Sequence, residues 1–187
     1  MNASRRIGDI ELLRGLAVFG ILIHHAQGNL LAWTTPAMDR FYAYFNIGHT
    51  IDLFFAISGF VIARDLIPKV QEVGKDRVSF FRLAIAFWIR RAYRLLPSAW
   101  VCLACIVLLS LLFNQSNAFG SVRANFAGAV AAVLQVANMH FAFNLQSGLG
   151  LGATFHFWSL SLEEQFYLAL PLMLFFSGRA FPWLAAA

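Results

Sequence analysis

The chain has 187 residues, of which 60% are hydrophobic, 16% aromatic and only 12% charged, and its mean hydropathy is +0.68. Soluble domains carry about 25% charged residues, so this composition excludes a water-covered globule and predicts an integral membrane protein. The net charge of +5 does not point to nucleic acid, because the basic residues gather where the positive-inside rule places a cytoplasmic loop.

In chain order, the first predicted span covers residues 12–33. Its apolar run is too long for the h-region of a signal peptide and no small-x-small cleavage site follows, so it should stay as a transmembrane helix. The second span covers 47–67, after a "TTPAMDR" stretch read as a proline turn. Residues 64–94 hold eight of the fourteen basic residues, which marks the cytoplasmic side. Within them "VSFFRLAIAFWIRRAYRLL" predicts an interfacial helix, with Pro97 breaking or opening it before a third span over 97–113. "NQSNAFGS" is a polar turn on the far side, the fourth span covers 123–143, and the Gly-rich "NLQSGLGLGAT" leads into a fifth over 156–177. "FPWLAAA" reads as the start of a sixth helix. The expected fold is therefore an all-α polytopic transmembrane bundle of about five spans and a fragment, truncated, in one membrane domain over 1–187 with a cytoplasmic N-terminus.

Cys102 and Cys105 form a C-x-x-C, but no flanking charge would stabilise a thiolate. They read as small apolar side chains one turn apart, with no disulfide. No histidine, cysteine or carboxylate spacing predicts a metal site.

An ionisable group at the centre of a membrane helix costs at least about 2.5 kcal/mol, so four polar clusters inside the apolar runs carry the functional argument. Arg14 and His25 are eleven residues apart, which is three helical turns plus about 20°. They share a helix face about 16 Å apart along the axis, while His24 points about 80° away. A snorkelling arginine with an ordinary interhelical histidine gives the same pattern. Asp52, in "GHTIDLFFAISGF", needs a partner: His49 one turn earlier, or a cation from another span. Arg90, Arg91 and Arg94 in "RRAYRLLP" form either a polyphosphate-binding patch of planar forks or a topogenic patch on anionic lipid. Glu163 and Glu164 in "FWSLSLEEQFY" point about 100° apart. Ser159 or Ser161 before them predicts a helix cap, with the glutamates in the first turn. A helix start at membrane depth must line protein or a wet cavity.

Taken in order, these clusters resemble the acyltransferase-3 family of integral-membrane O-acyltransferases. The family's Arg-x10-His is matched by Arg14 and His25, its "DLFFxxSGF" by Asp52 to Phe60, its "RRxxRLxP" by Arg90, Arg91, Arg94, Leu95 and Pro97, and its "WSLSxEEQFY" by Trp158 to Tyr167. His49-Thr50 departs from the Gly-Val usual before the aspartate. The resemblance implies transfer of an acyl group, usually acetyl, from cytoplasmic acyl-CoA to a hydroxyl of a cell-surface glycan or lipid, at the inner (plasma) membrane. It implies donor and acceptor as substrates, membrane lipids as surroundings, and no bound cofactor. His25 is then the general base, or carries a transient acyl group, with Glu163 or Glu164 orienting it. Arg14, Arg90, Arg91 and Arg94 hold the donor phosphates, Trp158 and Tyr167 pack or shape the channel, and Asp52, Ser159 and Ser161 complete the substrate-binding set. The family has more spans than are counted here, so a missing C-terminal half is expected. The rival readings are a truncated non-catalytic module or split-enzyme subunit, and a transporter-like protein.

Overall fold

The computed structural model describes residues 8–26, 35–44 and 49–177. The end of the first predicted span and the "FPWLAAA" helix start lie outside the described residues. All the regular structure among the described residues is helical: α1 Gly8–Ala26, α2 Pro36–Tyr44, α3 Thr50–Val73, α4 Arg77–Leu112, α5 Val122–Val133, α6 Ala137–Gln146, a 3₁₀ turn Ala153–His156, and α7 Phe157–Ser177. The chain divides into two units, residues 1–67 and 68–187.

In the first unit the "TTPAMDR" turn is instead the start of a helix. Pro36 occupies the first helical position, where its missing N–H costs nothing, and the Met38 N–H donates to Thr35 Oγ1 at 3.3 Å. The proline signal was that of a helix N-terminus. α1 and α3 approach closely at Gly20, where a Cβ would lie 2.6 Å from Thr50 Cγ2. Nearer the start of α1, the Arg14 guanidinium sits 6.0 Å from the Phe54 ring centroid. The order of these two contacts makes the helices antiparallel.

In the second unit, Gly74 takes φ +62 and turns the chain out of α3. The Asp76 side chain then caps α4 by accepting from the Val78 and Ser79 N–H groups. α4 corrects the expectation at Pro97. The basic segment and the third predicted span are one helix of 36 residues that runs through the proline. Proline removes a single ladder donor, long helical flanks hold the ladder on both sides, and Ser98 Oγ donates to Leu95 O in the same turn. At 1.5 Å per residue the helix is about 54 Å long, well beyond a hydrocarbon core of about 30 Å. Among the described residues it is the one helix long and apolar enough to cross a membrane. Cys102 and Cys105 lie on it, free and exposed.

The fourth predicted span is divided. α5 ends at Val133 and α6 begins at Ala137, with Gln135 in the left-handed region at φ +58. The Val136 N–H reaches back to Ala131 O at 2.8 Å. Helices of 12 and 10 residues are each shorter than the roughly 20 residues a crossing needs. Hydropathy over this window is continuous, so it could not register the break.

A core of Leu103, Ala131, Ala132, Ala137 and Phe141, with Phe155 and Trp158 against it, joins α4, α5, α6 and α7. Asn125, fully buried, ties the two turns beside it: Nδ2 donates to Phe119 O at 2.8 Å and Oδ1 accepts from Ala153 N at 2.7 Å.

Candidate functional site

The "WSLSLEEQFY" segment lies wholly within α7, which begins at Phe157 directly after the 3₁₀ turn. Neither serine caps it, which corrects the expected arrangement. Ser159 Oγ donates to His156 O at 3.2 Å, and Ser161 Oγ accepts from Ala137 N at 3.3 Å. Because the turn delivers the chain into helix early, Glu163 and Glu164 fall in the second turn and not the first.

From there the segment divides into two faces. Residues four apart lie within about 40° of each other on a helix, so Ser161 and Gln165 share one stripe and Glu163 and Tyr167 share another. The second stripe is about 200° from the first.

The Ser161–Gln165 stripe meets the break between α5 and α6. Gln165 Nε2 donates to the open carbonyl of Gln135 at 2.7 Å. It also lies 3.0 Å from Asn138 Oδ1, while Asn138 Nδ2 donates back to Gln165 Oε1 at 3.0 Å. Together with Ser161 on the Ala137 N–H, two backbone groups freed by the break find partners on α7. Backbone groups freed by a helix break and shielded from water require partners of this kind.

The Glu163–Tyr167 stripe meets α4. The Tyr167 hydroxyl donates to Glu163 Oε1. The Tyr167 ring is buried, packed edge-on against Phe87 at 6.3 Å, and Trp88 Nε1 donates to the Tyr167 carbonyl at 3.1 Å. The Arg91 guanidinium lies 5.0 Å from the Tyr167 ring centroid and 5.6 Å from that of Phe87. Glu164 projects between the two stripes, with Oε1 buried and without a hydrogen-bond partner.

The three arginines of the basic cluster therefore separate. Arg90 and Arg94 are exposed, whereas Arg91 is half-buried and turned to α7. Trp158 packs into the core cluster. In the first unit His25 is half-buried and His24 exposed, with their rings 5.4 Å apart and tilted by 65°. Asp52 is paired locally, its Oδ2 lying 3.0 Å from His49 Nδ1. At 71% and 72% side-chain exposure this pair is worth little to stability.

Sequence reasoning missed Gln165, Asn138 and Asn125. Gln165 sat inside the quoted segment, four residues after Ser161, and that spacing was the available signal. Asn138 and Asn125 carry none, because an asparagine in a mostly apolar run looks alike whether it faces a partner or a turn.

A family model described as an acyltransferase domain matches residues 7–187. "Putative O-acetyltransferase SACOL0978" of Staphylococcus aureus (strain COL) is 31% identical over 173 residues, covering 91% of this chain and 25% of that protein. "O-acetyltransferase OatA" of Staphylococcus aureus (strain NCTC 8325 / PS 47) is 28% identical over 179 residues, covering 94% of this chain and 26% of that protein. The chain thus spans about a quarter of the length of the curated relatives it matches. No solved structure matches it. With the domain model covering all but the first six residues, the chain belongs to the acyltransferase-3 family.

Proposed function

We propose that this chain is the N-terminal part of a multi-pass O-acyltransferase of the inner (plasma) membrane, with a cytoplasmic N-terminus. In this reading it takes an acyl group, acetyl by preference, from cytoplasmic acyl-CoA and places it on a hydroxyl of a cell-surface glycan or lipid. Family membership carries the reading, and the relatives named O-acetyltransferase support the choice of acetyl transfer to oxygen. The paired carboxylates held on α7 support a charged site within an apolar helix.

The reaction balances without a cofactor. The acceptor oxygen attacks the thioester carbonyl, its proton passes to the neutral imidazole of His25, and the C–S bond breaks. The proton then leaves with the CoA thiolate as the thiol. Imidazole is the side chain suited to taking up and returning a proton at neutral pH. Arg14, Arg90 and Arg94 take the donor phosphates, Arg90 and Arg94 being exposed and on one helix face. Glu163 and Glu164 supply the carboxylate charge of the reaction, and Asp52 with His49 marks the outer end of α3.

The test compares cells with and without the complete gene by mass spectrometry of surface glycans and lipids. Alkali-labile acetyl groups should disappear with the gene and return on complementation. In the complete protein His25→Ala should lower acetyl transfer by about 10²- to 10⁴-fold, and His24→Ala far less. Unchanged acetylation in cells lacking the gene overturns the reading, and a dead His24→Ala beside an active His25→Ala overturns the choice of base.

A further inference from the structure

Among the three clustered arginines, Arg91 is placed unlike the other two. Arg90 and Arg94 are four residues apart and exposed. Arg91 lies about 100° around the helix from Arg90, on the Phe87 stripe that faces α7. Its guanidinium carbon lies over two aromatic rings, Phe87 and Tyr167. Cation–π contacts of this kind gain strength as water is excluded.

Beyond those rings lie two adjacent carboxylates in an apolar helix. Glu163 accepts a hydrogen bond from the same Tyr167, and Glu164 has a buried oxygen without a hydrogen-bond partner. Two neighbouring acidic groups in an apolar helix call for a compensating cation, and Arg91 lies against the Tyr167 ring whose hydroxyl holds Glu163. The other basic side chains of α4, Arg77, Arg82, Arg90 and Arg94, are all exposed.

We propose that Arg91 is the counter-charge and positioning residue of the Glu163–Glu164 pair, acting through Tyr167, and is not a ligand of the donor phosphates. The two cation–π contacts hold the guanidinium between α4 and α7. The Tyr167 hydroxyl then aims Glu163, and the Arg91 charge balances the pair. A lysine carries the charge but not the planar, delocalised guanidinium, so it replaces only part of the function. The proposal rests on the acyltransferase reading for its kinetic test, but not for its chemical one.

The experiment uses the complete protein in membranes, with Arg91→Gln, Arg91→Lys, Tyr167→Phe and, for comparison, Arg94→Gln. The chemical arm treats each with dicyclohexylcarbodiimide, an apolar reagent that adds to protonated carboxyl groups, and maps the adducts by peptide mass spectrometry. Labelling at Glu163 and Glu164 should rise several-fold in Arg91→Gln, less in Arg91→Lys, and not in Arg94→Gln. Tyr167→Phe should raise it at Glu163, which keeps the proposal decidable if Arg91→Gln does not accumulate. The kinetic arm should show kcat for acetyl transfer falling by about 10- to 100-fold in Arg91→Gln with KM for acetyl-CoA nearly unchanged, the pattern of an interaction used in the transition state. Labelling unchanged in both Arg91→Gln and Tyr167→Phe overturns the proposal. So does a raised KM for acetyl-CoA with unchanged kcat in Arg91→Gln. A complete protein that transfers no acyl group removes the functional reading, and the labelling still decides the role of Arg91.

Discussion

The two faces of α7 carry similar amounts of polar chemistry and treat it differently. On the Ser161–Gln165 face the amide groups of Gln165 and Asn138 bond each other, and Gln165 and Ser161 each take a backbone partner at the α5–α6 break. On the Glu163–Tyr167 face the groups are charged or aromatic, and beside it, between the two stripes, one buried Glu164 oxygen is left without a hydrogen bond. Apart from the Gln135 side-chain oxygen, which is buried without a partner, the neutral network is bonded and holds one arrangement, whereas an unsatisfied charge stores interaction free energy that a substrate can use. The first face should therefore govern stability and the second activity, although both come from a single ten-residue segment.

The largest effect that would break this contrast is expected on the charged face. Glu163→Gln keeps the shape and a hydrogen-bond acceptor for Tyr167 but removes the charge. Acetyl transfer by the complete protein should fall by about 10²-fold, with the thermal unfolding midpoint in detergent little changed. A large drop in that midpoint at full activity per folded molecule would reverse the assignment of the two faces.

A smaller effect sharpens the contrast from the other side. Asn138→Leu strands part of the Gln165 amide in a dry interface, at a cost of roughly 1–3 kcal/mol. Denaturation should register the loss, while kcat per folded molecule stays near that of the parent. A combined Asn138→Leu and Glu163→Gln variant should show nearly additive effects on the separate readouts, since the groups lie on opposite sides of the helix.

The smallest effect belongs to a water-facing cap remote from both faces. The Asp76 carboxyl is held below its ordinary value by its hydrogen bonds to the Ser79 side chain and backbone, helped by the Val78 N–H and the charge of Arg82. A depressed folded-state value contributes stability above the unfolded pKa, and this is lost as pH falls through the folded value, below about pH 4. Hydrogen exchange should show the Val78 and Ser79 amides opening faster as the pH is lowered through that region, once the intrinsic pH dependence is divided out. Asp76→Asn should abolish this pH dependence and leave acetyl transfer unchanged.

Several elements were legible in the sequence because their signal is local. The helical class followed from composition. The His49–Asp52 pair needed only their spacing of three. Other expectations failed where a local signal has two outcomes. A proline after threonine opens α2 where a turn was expected, and a proline inside a long apolar run leaves α4 whole. The serines before Glu163 and Glu164 had the residue types of a cap, but the preceding 3₁₀ turn had already started the helix.

By itself, then, the sequence determined that the chain is helical and apolar, where its polar clusters lie, and which family motifs they match, since these depend on residue type and near spacing. Only the tertiary structure decided which cluster members act together. Arg91 parts from Arg90 and Arg94 because α7 supplies Tyr167 opposite it. The fourth apolar run breaks at Gln135 because Ser161 and Gln165, 24 and 30 residues from their partners, receive the backbone groups that the break sets free. No local preference encodes a contact at that separation. A left-handed glutamine in an apolar helix is unfavourable alone, and it is held here by hydrogen bonds that exist only once α7 is in place.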